Sequence, residues 1–335
     1  MSHKFVLIGC GRIAQRHAEQ IARVGQLLAV CDIVREKAMD TGLKYGAAVY
    51  TDIESLLSNE LEADIAVICS PNGLHAAHSI RSLQAGKHVL VEKPLSIHMS
   101  DALNIQKTAS DFNKQVFVVK QNRFNPPVEA VKEMLRQNQL GKISSFQINC
   151  FWNRPASYYE NTWKGSLQLD GGALYTQFSH FIDLLYWFLG DVKSVQTLAR
   201  NFHHPYIETD DTGIVVFEMM DGAIGTLQYT TNAYRKNMEG SITLFGEKGT
   251  VKIGGQYLNT LEYQQTEEEA IVMPANLGNK ANDYGFYQGS MSNHDQVYDH
   301  LLKALNNESH QLAGIQDGIK SVAIIESIYQ QSNLS

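Results

Sequence analysis

The sequence predicts two domains: a doubly wound parallel α/β sheet over residues 1–122, and an α+β domain with an open, mostly antiparallel sheet over residues 123–335. Three observations carry this reading. Five short apolar runs in the first third are separated by amphipathic stretches, a glycine-rich turn follows the first run, and from residue 145 onward the pattern changes to alternating strands joined as hairpins. A chain of 335 residues is also long for a single core, and domains of roughly 100 to 200 residues are the ordinary solution.

The five runs are Phe5–Ile8, Leu27–Val30, Ile65–Ile68, His88–Val91 and Val116–Val119. None alternates, which suits strands buried on both faces. Between the first two, Ile13, His17, Ile21 and Val24 share one helical face, and Ile80 and Leu83 do so before the fourth. Strand, helix and strand in repetition give a parallel sheet with helical crossovers.

After the first run comes Gly9-Cys10-Gly11-Arg12-Ile13-Ala14, a Gly-x-Gly-x-x-Ala turn whose bare glycines let the backbone approach a pyrophosphate at a helix N-terminus. Asp32 ends the second run, about 20 residues farther on. A carboxylate there accepts from the ribose hydroxyls and repels a 2′-phosphate, so the expected cofactor is NAD in a Rossmann domain. Arg35 nearby is the group that would accommodate NADP. The loop Ser70-Pro71-Asn72-Gly73-Leu74-His75 follows the third run at the same sheet edge. Its polar groups are expected toward the cofactor, with helix capping an equal alternative for Asn72 and His75. Lys93, in Val91-Glu92-Lys93-Pro94, closes the fourth run and puts an amine at a strand end beside the cofactor cleft.

The prolines of Gln121-Asn122-Arg123-Phe124-Asn125-Pro126-Pro127 mark the domain border and open a helix over 128–137. Residues 145–152 alternate, with Phe146, Ile148, Cys150 and Trp152 on one face. Hairpins are expected around Asp221-Gly222 and over 246–249. Asp170-Gly171-Gly172 should start a helix running to Leu189, with Leu174, Phe178, Phe181, Leu185 and Phe188 as its buried stripe. His180 lies beside that stripe, with Thr176 one turn before it and Asp183 nearly one turn after. This spacing suits a catalytic histidine, and equally a core histidine satisfied by Asp183. A metal site on His180 and Asp183 lacks a third ligand, so no metal is expected. His203 and His204, before Pro205, read as a solvated loop pair.

The net charge of −7, with 44% hydrophobic and 19% charged residues, argues against nucleic-acid and anionic-membrane surfaces. No apolar run reaches the roughly 18 residues of a membrane span, and Met1–Lys4 leads directly into a strand without a signal peptide, so a cytoplasmic location is expected. Cys10, Cys31, Cys69 and Cys150 form no Cys-x-x-Cys pair and read as reduced structural thiols.

Taken together, the Gly9–Ala14 turn with His17, Ser70-Pro71-Asn72, Glu92-Lys93-Pro94, and Gly171-Gly172 with His180 and Asp183 resemble the Gfo/Idh/MocA oxidoreductases over nearly the whole chain. The resemblance implies oxidation or reduction of a sugar-like hydroxyl, with Lys93 as the active-site lysine. It also implies a C-terminal open sheet that mediates a homodimer or homotetramer. The segments Val119–Pro127, Tyr158-Tyr159, Thr162–Gly165 and Leu169–Leu174 resemble the branch that oxidises C3 of UDP-N-acetylglucosaminuronic acid, or of UDP-N-acetylglucosamine, on the way to diamino sugars of surface polysaccharides. By the same comparison Glu92, Gln121, Trp163 and Lys164 belong with the cofactor. Many family members carry Asp four residues before the histidine, where this chain has Thr176, which cannot accept a proton at neutral pH.

Oxidising a secondary alcohol requires a group that takes the hydroxyl proton as the hydride leaves. Imidazole is matched to neutral pH, whereas lysine, with a reference pKa of about 10.4, needs desolvation to act as a base. His180 is therefore the expected proton acceptor, with Lys93 steadying the developing alkoxide; the reverse assignment stays open. A nucleotide-sugar diphosphate calls for cations, and Arg123, Arg154, Lys164 and Arg235 are the candidates. Gln177 is placed with the substrate, and Tyr158 and Tyr159 either stack on uracil or fill the domain interface. A free-sugar or inositol dehydrogenase, an NAD-dependent glycosidase and a non-catalytic NAD sensor are the alternative functions.

Overall fold

A computed structural model describes residues 3–267, 281–283 and 288–332. By their contacts they form two compact units. The first comprises Met1–Lys120, Gln168–Asp170 and His294–Val322, and the second Gln121–Leu167, Gly171–Asn293 and Ala323–Ser335.

The first unit is built on strands β1 (His3–Ile8), β2 (Gly25–Cys31), β3 (Ala48–Tyr50), β4 (Ile65–Ile68), β5 (His88–Val91) and β6 (Val116–Val118). They form one sheet in the order β3-β2-β1-β4-β5-β6, parallel throughout. Crossovers are α1 (Arg12–Val24), α2 (Arg35–Tyr45), α3 (Ile53–Asn59), α4 (His75–Gln84) and α5 (Met99–Asp111). Phe5, Val6, Leu7, Val67, Val89 and Leu90 have no exposed surface, as expected where helices cover both faces. Ile8 is level with Cys31 on one side and Ile68 on the other, and Ile68 with Val91. The loops after β1, β2, β4 and β5 therefore leave the same sheet edge. Chain order reverses at β1, where open α/β sheets bind ligands.

Two features depart from the expected domain. The three-residue β3 is too short to register as an apolar run. Residues 294–322, assigned from sequence to the second domain, pack within the first unit. Their physical role is to cover its edges: β6 is the outer strand, and its Val118 N–H donates to Ala313 O at 3.0 Å, while Phe117 bridges to Gly314. An unpaired strand edge is otherwise a liability. Helix α10 (His294–Leu305) buries His294, Val297, Tyr298, Leu301 and Ala304 along one face, and Tyr298 packs against Phe5 and His17.

The second unit carries α6 (Pro126–Arg136), β7 (Ile143–Phe151), α7 (Ala156–Tyr159), α8 (Ala173–Thr176), α9 (Ser179–Leu189) and β8 (Val192–Arg200). Strands β9 (Thr212–Met219), β10 (Ile224–Thr230), β11 (Glu239–Gly246), β12 (Gly249–Gly254) and β13 (Thr260–Thr266) complete a seven-stranded sheet. Its order is β13-β12-β11-β7-β10-β9-β8, antiparallel except for the parallel pair β7·β10. A short ladder, β14 (Ala281–Asp283) with β15 (Gln288–Met291), stands apart. One sheet face buries Phe146, Ile148, Cys150, Val215, Phe217 and Leu227, whereas Leu198, Ile214, Val216 and Ile224 are 71%, 45%, 47% and 59% exposed on the other strand faces.

The helix expected over 173–189 is interrupted. Phe178 N–H reaches back five residues to Ala173 O at 3.2 Å, and the next turn tightens as Phe181 N–H bonds Phe178 O at 2.9 Å. The break lets Phe178 insert between Trp152 and Tyr229, while Gln177 turns to other partners. Thr176 and His180 thus sit on separate helices, α8 and α9. Among the described residues no helix is long and apolar enough to cross a membrane.

Candidate active site

The turn after β1 is shaped for a dinucleotide. Gly9 adopts φ +94°, and a Cβ there would lie 2.6 Å from Cys69 C and Ser70 N, so only glycine lets β1 and β4 stand this close. Gly11 precedes α1, and a Cβ on it would meet nothing within 4 Å. Its backbone is open on the side where a pyrophosphate approaches a helix N-terminus. Arg12 is exposed at the first helical position and Ile13 half-buried, while Ala14 has no exposed surface and lets α1 lie close on the sheet. Asp32 Oδ2 accepts Cys10 N–H and Oδ1 accepts Val34 N–H, both at 2.8 Å. A carboxylate has about four acceptor directions, so the ribose hydroxyls can still be met. Arg35 is exposed at the start of α2. These residues fit NAD.

The loop after β4 is tied to the loop after β5 by His75, whose Nδ1 lies 2.6 Å from Pro94 O and Nε2 2.9 Å from Ser70 O. Ser70 Oγ meets His78 Nδ1 at 2.9 Å. The capping alternative is not what His75 does: α4 has Leu74 at its N-cap position and no side-chain cap. Asn72 Nδ2 donates to Asp170 O at 2.9 Å, and Gly73 N–H to Leu169 O at 3.0 Å. Together they dock the segment leading into Gly171-Gly172.

Glu92 turns inward. Its Oε1 meets His17 Nε2 at 3.0 Å and His294 Nε2 at 3.4 Å, and its Oε2 accepts the Lys93 N–H at 3.0 Å. Burial alone would raise the Glu92 pKa, yet the bonds from His17 and His294 hold the carboxyl well below the usual range. Burial pulls His17 down from its ordinary value. Lys93 is half-buried, before a cis peptide to Pro94. Sequence reading cited His17 within a motif and missed His294, which is remote in sequence.

In the second unit, His180 is buried on α9, with Nε2 3.3 Å from Gln121 Nε2. Gln121 Nε2 also donates to Ser290 Oγ at 3.0 Å, while its Oε1 is buried with no hydrogen-bond partner among the described residues. Asp183 accepts Nε and Nη2 of Arg123, each at 2.8 Å, a fork-on-fork pair. Arg154 is 2% exposed; its Nε donates to Gln177 Oε1 at 2.7 Å and its Nη1 to Asn237 Oδ1 at 3.1 Å. Gln177 Nε2 in turn donates to Tyr158 Oη at 2.6 Å. Tyr158 and Tyr159 meet edge to face and form a buried cluster with Ile207. Lys164 Nζ lies 3.7 Å from the Tyr158 ring centroid. Trp163 and Thr176 are half-buried, and Arg235 is exposed.

His203 is exposed, but His204 is not the solvated residue expected from its loop position. It is 5% exposed, with Nδ1 3.1 Å from Asp211 Oδ2 and Nε2 2.8 Å from Arg154 O, so it pins this loop to the segment after β7 that carries Arg154. The four cysteines are buried free thiols.

A sequence profile described as an oxidoreductase family with an NAD-binding Rossmann fold matches residues 3–120, and one for the GFO/IDH/MocA C-terminal domain matches residues 128–252. The WlbA dehydrogenase from Bordetella pertussis, solved in complex with NADH and UDP-GlcNAcA, is 32% identical with a TM-score of 0.89, covering 99% of this chain and 96% of that one. The WlbA dehydrogenase from Chromobacterium violaceum, with the same two ligands, is 33% identical with a TM-score of 0.89, covering 98% and 93%. A 1-carboxy-3-chloro-3,4-dihydroxycyclohexa-1,5-diene dehydrogenase of Comamonas testosteroni is 34% identical over 143 residues, which is 42% of this chain but only 34% of that enzyme's length.

Proposed function

This chain belongs to the Gfo/Idh/MocA oxidoreductases, and from that premise we propose that it oxidises the C3 hydroxyl of a UDP-N-acetyl amino sugar to the 3-keto sugar. UDP-N-acetylglucosaminuronic acid or UDP-N-acetylglucosamine is the substrate and NAD the hydride acceptor. The observation that carries the substrate is the likeness, over nearly the full length of both chains, to two enzymes solved with NADH and UDP-GlcNAcA.

When bound, NAD supplies the hydride acceptor; every other function falls to side chains. The Gly9–Gly11 turn and Asp32 hold the dinucleotide, with Asp32 selecting the unphosphorylated ribose. His180 takes the hydroxyl proton on Nε2, exchanging its long contact with the Gln121 amide for the substrate oxygen. Lys93 donates a hydrogen bond to the same oxygen and balances the alkoxide charge as C3 gives up its hydride. The sugar loses two hydrogens, one as hydride and one as the proton on His180. Thr176 holds no proton in this scheme. Trp163 and Lys164 are assigned to cofactor binding by the family likeness. Arg123 and Arg154 are held by interior bonds and shape the substrate wall with Gln177, Tyr158 and Tyr159. Lys164 and Arg235 are assigned to the diphosphate for their positive charge. We assign the open sheet face of Leu198, Ile214, Val216 and Ile224 to a second copy of the chain.

The test is NAD reduction against a panel of UDP-sugars and free sugars, with mass analysis of the product. A two-hydrogen loss from a UDP-N-acetyl sugar is expected. Turnover confined to free sugars or inositol would replace the substrate, and tight NAD binding with no turnover of any sugar would remove the enzyme.

A further inference from the structure

His75 opens α4 and is 1% exposed, and both of its ring nitrogens are set against main-chain carbonyls. Nδ1 lies 2.6 Å from Pro94 O and Nε2 2.9 Å from Ser70 O. A carbonyl oxygen only accepts, whereas a neutral imidazole carries a single N–H, so one of the two contacts then has no proton of its own. The groups that face His75 are Glu92 and Lys93 after β5 and His78 on α4. Burial pulls His75 below its ordinary value against the two carbonyls and Glu92, and Lys93 acts in the same sense as burial. The neutral ring is therefore the form at neutral pH. Its proton belongs on Nδ1, at the shorter contact. Ser70 is held without a second donor from His75: its Oγ meets His78 Nδ1 at 2.9 Å, and a Cβ on Gly9 would lie 2.6 Å from Ser70 N. Burial first, then His75 and Arg81, brings His78 down to about 4. Its Nδ1 can then accept the Ser70 hydroxyl proton.

We propose that His75 is a positioning residue for Lys93: its Nδ1–H holds the Pro94 carbonyl, one residue beyond the lysine, against the loop that packs on the Gly9 turn. This rests on the reading of Lys93 as an active-site group. The loops after β4 and β5 leave the same sheet edge, and the His75 bond joins them there, so the main chain that carries Lys93 keeps one placement relative to the dinucleotide turn. Lysine has a flexible four-carbon stem. Its amine reaches one reacting oxygen reproducibly only if the base of that stem is fixed.

The two ring nitrogens can be replaced one at a time, because the Asn amide N–H falls near the place of Nδ1 and the Gln amide N–H near that of Nε2. With NAD and the sugar that the wild-type protein turns over best, kcat should be about tenfold higher in His75→Asn than in His75→Gln, while the KM for NAD differs less than about threefold between them. Each variant gives up one contact, so their thermal midpoints should agree within about 3 °C. A role in stability alone would make turnover follow those midpoints. Equal kcat in the two folded variants, or a faster His75→Gln, overturns the proposal and leaves the dehydrogenase reading intact. Imidazole 15N spectra of the wild-type protein at pH 8, with the His75 signals identified by their loss in His75→Asn, test the tether without substrate and without His75→Gln. A protonated Nδ1 is expected, and a bare Nδ1 overturns the proposal even if His75→Gln does not fold. If no sugar is turned over, the dehydrogenase reading fails while the spectra still decide the tether.

Discussion

Gln121 and His180 face each other through their Nε2 atoms at 3.3 Å, in the interior of the second unit. Among the described residues Gln121 Oε1 has no hydrogen-bond partner and lies buried, a cost of about 1 to 3 kcal/mol for a desolvated acceptor. A half-turn of the amide would bring Oε1 to the imidazole, so the side chain can serve His180 as donor or acceptor when substrate enters. Gln121→Leu removes both options, and kcat should fall about tenfold with little change in substrate KM. Gln121→Glu puts a carboxylate against the imidazole and stabilises its protonated form. The acid limb of the kcat profile should then move to higher pH by about one unit. An unmoved acid limb would detach His180 from the proton step.

Arg123 and Asp183 form a buried bidentate pair, with side chains 5% and 2% exposed. Removing one partner strands a charge in the interior, and the expected loss is about 3 to 5 kcal/mol for Arg123→Ala or Asp183→Ala. The double change Arg123→Ala with Asp183→Ala should cost less than the two single losses added together, because neither charge remains. Urea denaturation of the three variants checks this through a double-mutant cycle. Additive losses would mean that the pair contributes no coupling energy. Because Asp183 lies nearly one turn after His180 on α9, the single variants should also lose turnover before they lose fold.

Asp32 should govern cofactor choice. Its carboxylate already orders Cys10 N–H and Val34 N–H, so Asp32→Asn keeps one acceptor oxygen while removing the charge that repels a 2′-phosphate. The KM for NAD should rise about tenfold, the equivalent of one charge-assisted hydrogen bond, and NADP should become usable with Arg35 exposed nearby. Retained NAD selectivity in that variant would place discrimination elsewhere.

Much of the first unit was legible because parallel strands buried on both faces leave unbroken apolar runs, and because the Gly9–Ala14 turn and Asp32 are local in sequence. What escaped was non-local. His294 meets Glu92 only because α10 returns to the first unit, and nothing in Asn293-His294-Asp295 signals it. The interruption at Gln177 and Phe178 was hidden because its cause is tertiary: Phe178 fits between Trp152 and Tyr229, and Gln177 bridges Arg154 and Tyr158. Helical periodicity continues across such a break. His204 was misread for the same reason, since its partners Arg154 and Asp211 belong to other segments.

Asp210 gives the protein a distinct stability profile. It has no exposed surface, and burial raises its pKa from the carboxylate range to about 6, against partial relief from the Tyr229 and Tyr329 hydroxyls. A carboxyl with a raised folded pKa binds more protons folded than unfolded between about pH 4 and 6, so its contribution to stability falls as pH rises through that window. Asp210→Asn removes the penalty, and at pH 7.5 the variant should be more stable by up to roughly 3 kcal/mol. The advantage should shrink toward pH 4.5. Asp211 works in the opposite sense: although burial opposes it, His204 and backbone N–H groups hold its pKa well below the usual range, so its support is lost as pH falls. Comparing thermal midpoints of wild type and Asp210→Asn at both pH values cancels Asp211, and a difference that does not depend on pH would show that Asp210 is ionised throughout.

The outer face of the sheet is apolar across β8, β9 and β10. Ile214 and Val216 alternate with the buried Val215 and Phe217 along β9, and Leu198 on β8 stands opposite Ile214. Four apolar side chains on adjacent strands form more of a patch than scattered surface hydrophobics do, and a second copy related by a two-fold axis would cover the same residues on each subunit. Val216→Lys places a charge near the middle of that patch without touching the interior side chains of β9. Sedimentation should show wild-type dimer or tetramer and a smaller species for the variant, with NAD binding per chain unchanged because the cofactor turn lies in the other unit. A wild-type monomer, or an assembly indifferent to Val216→Lys, would assign this face to something other than self-association.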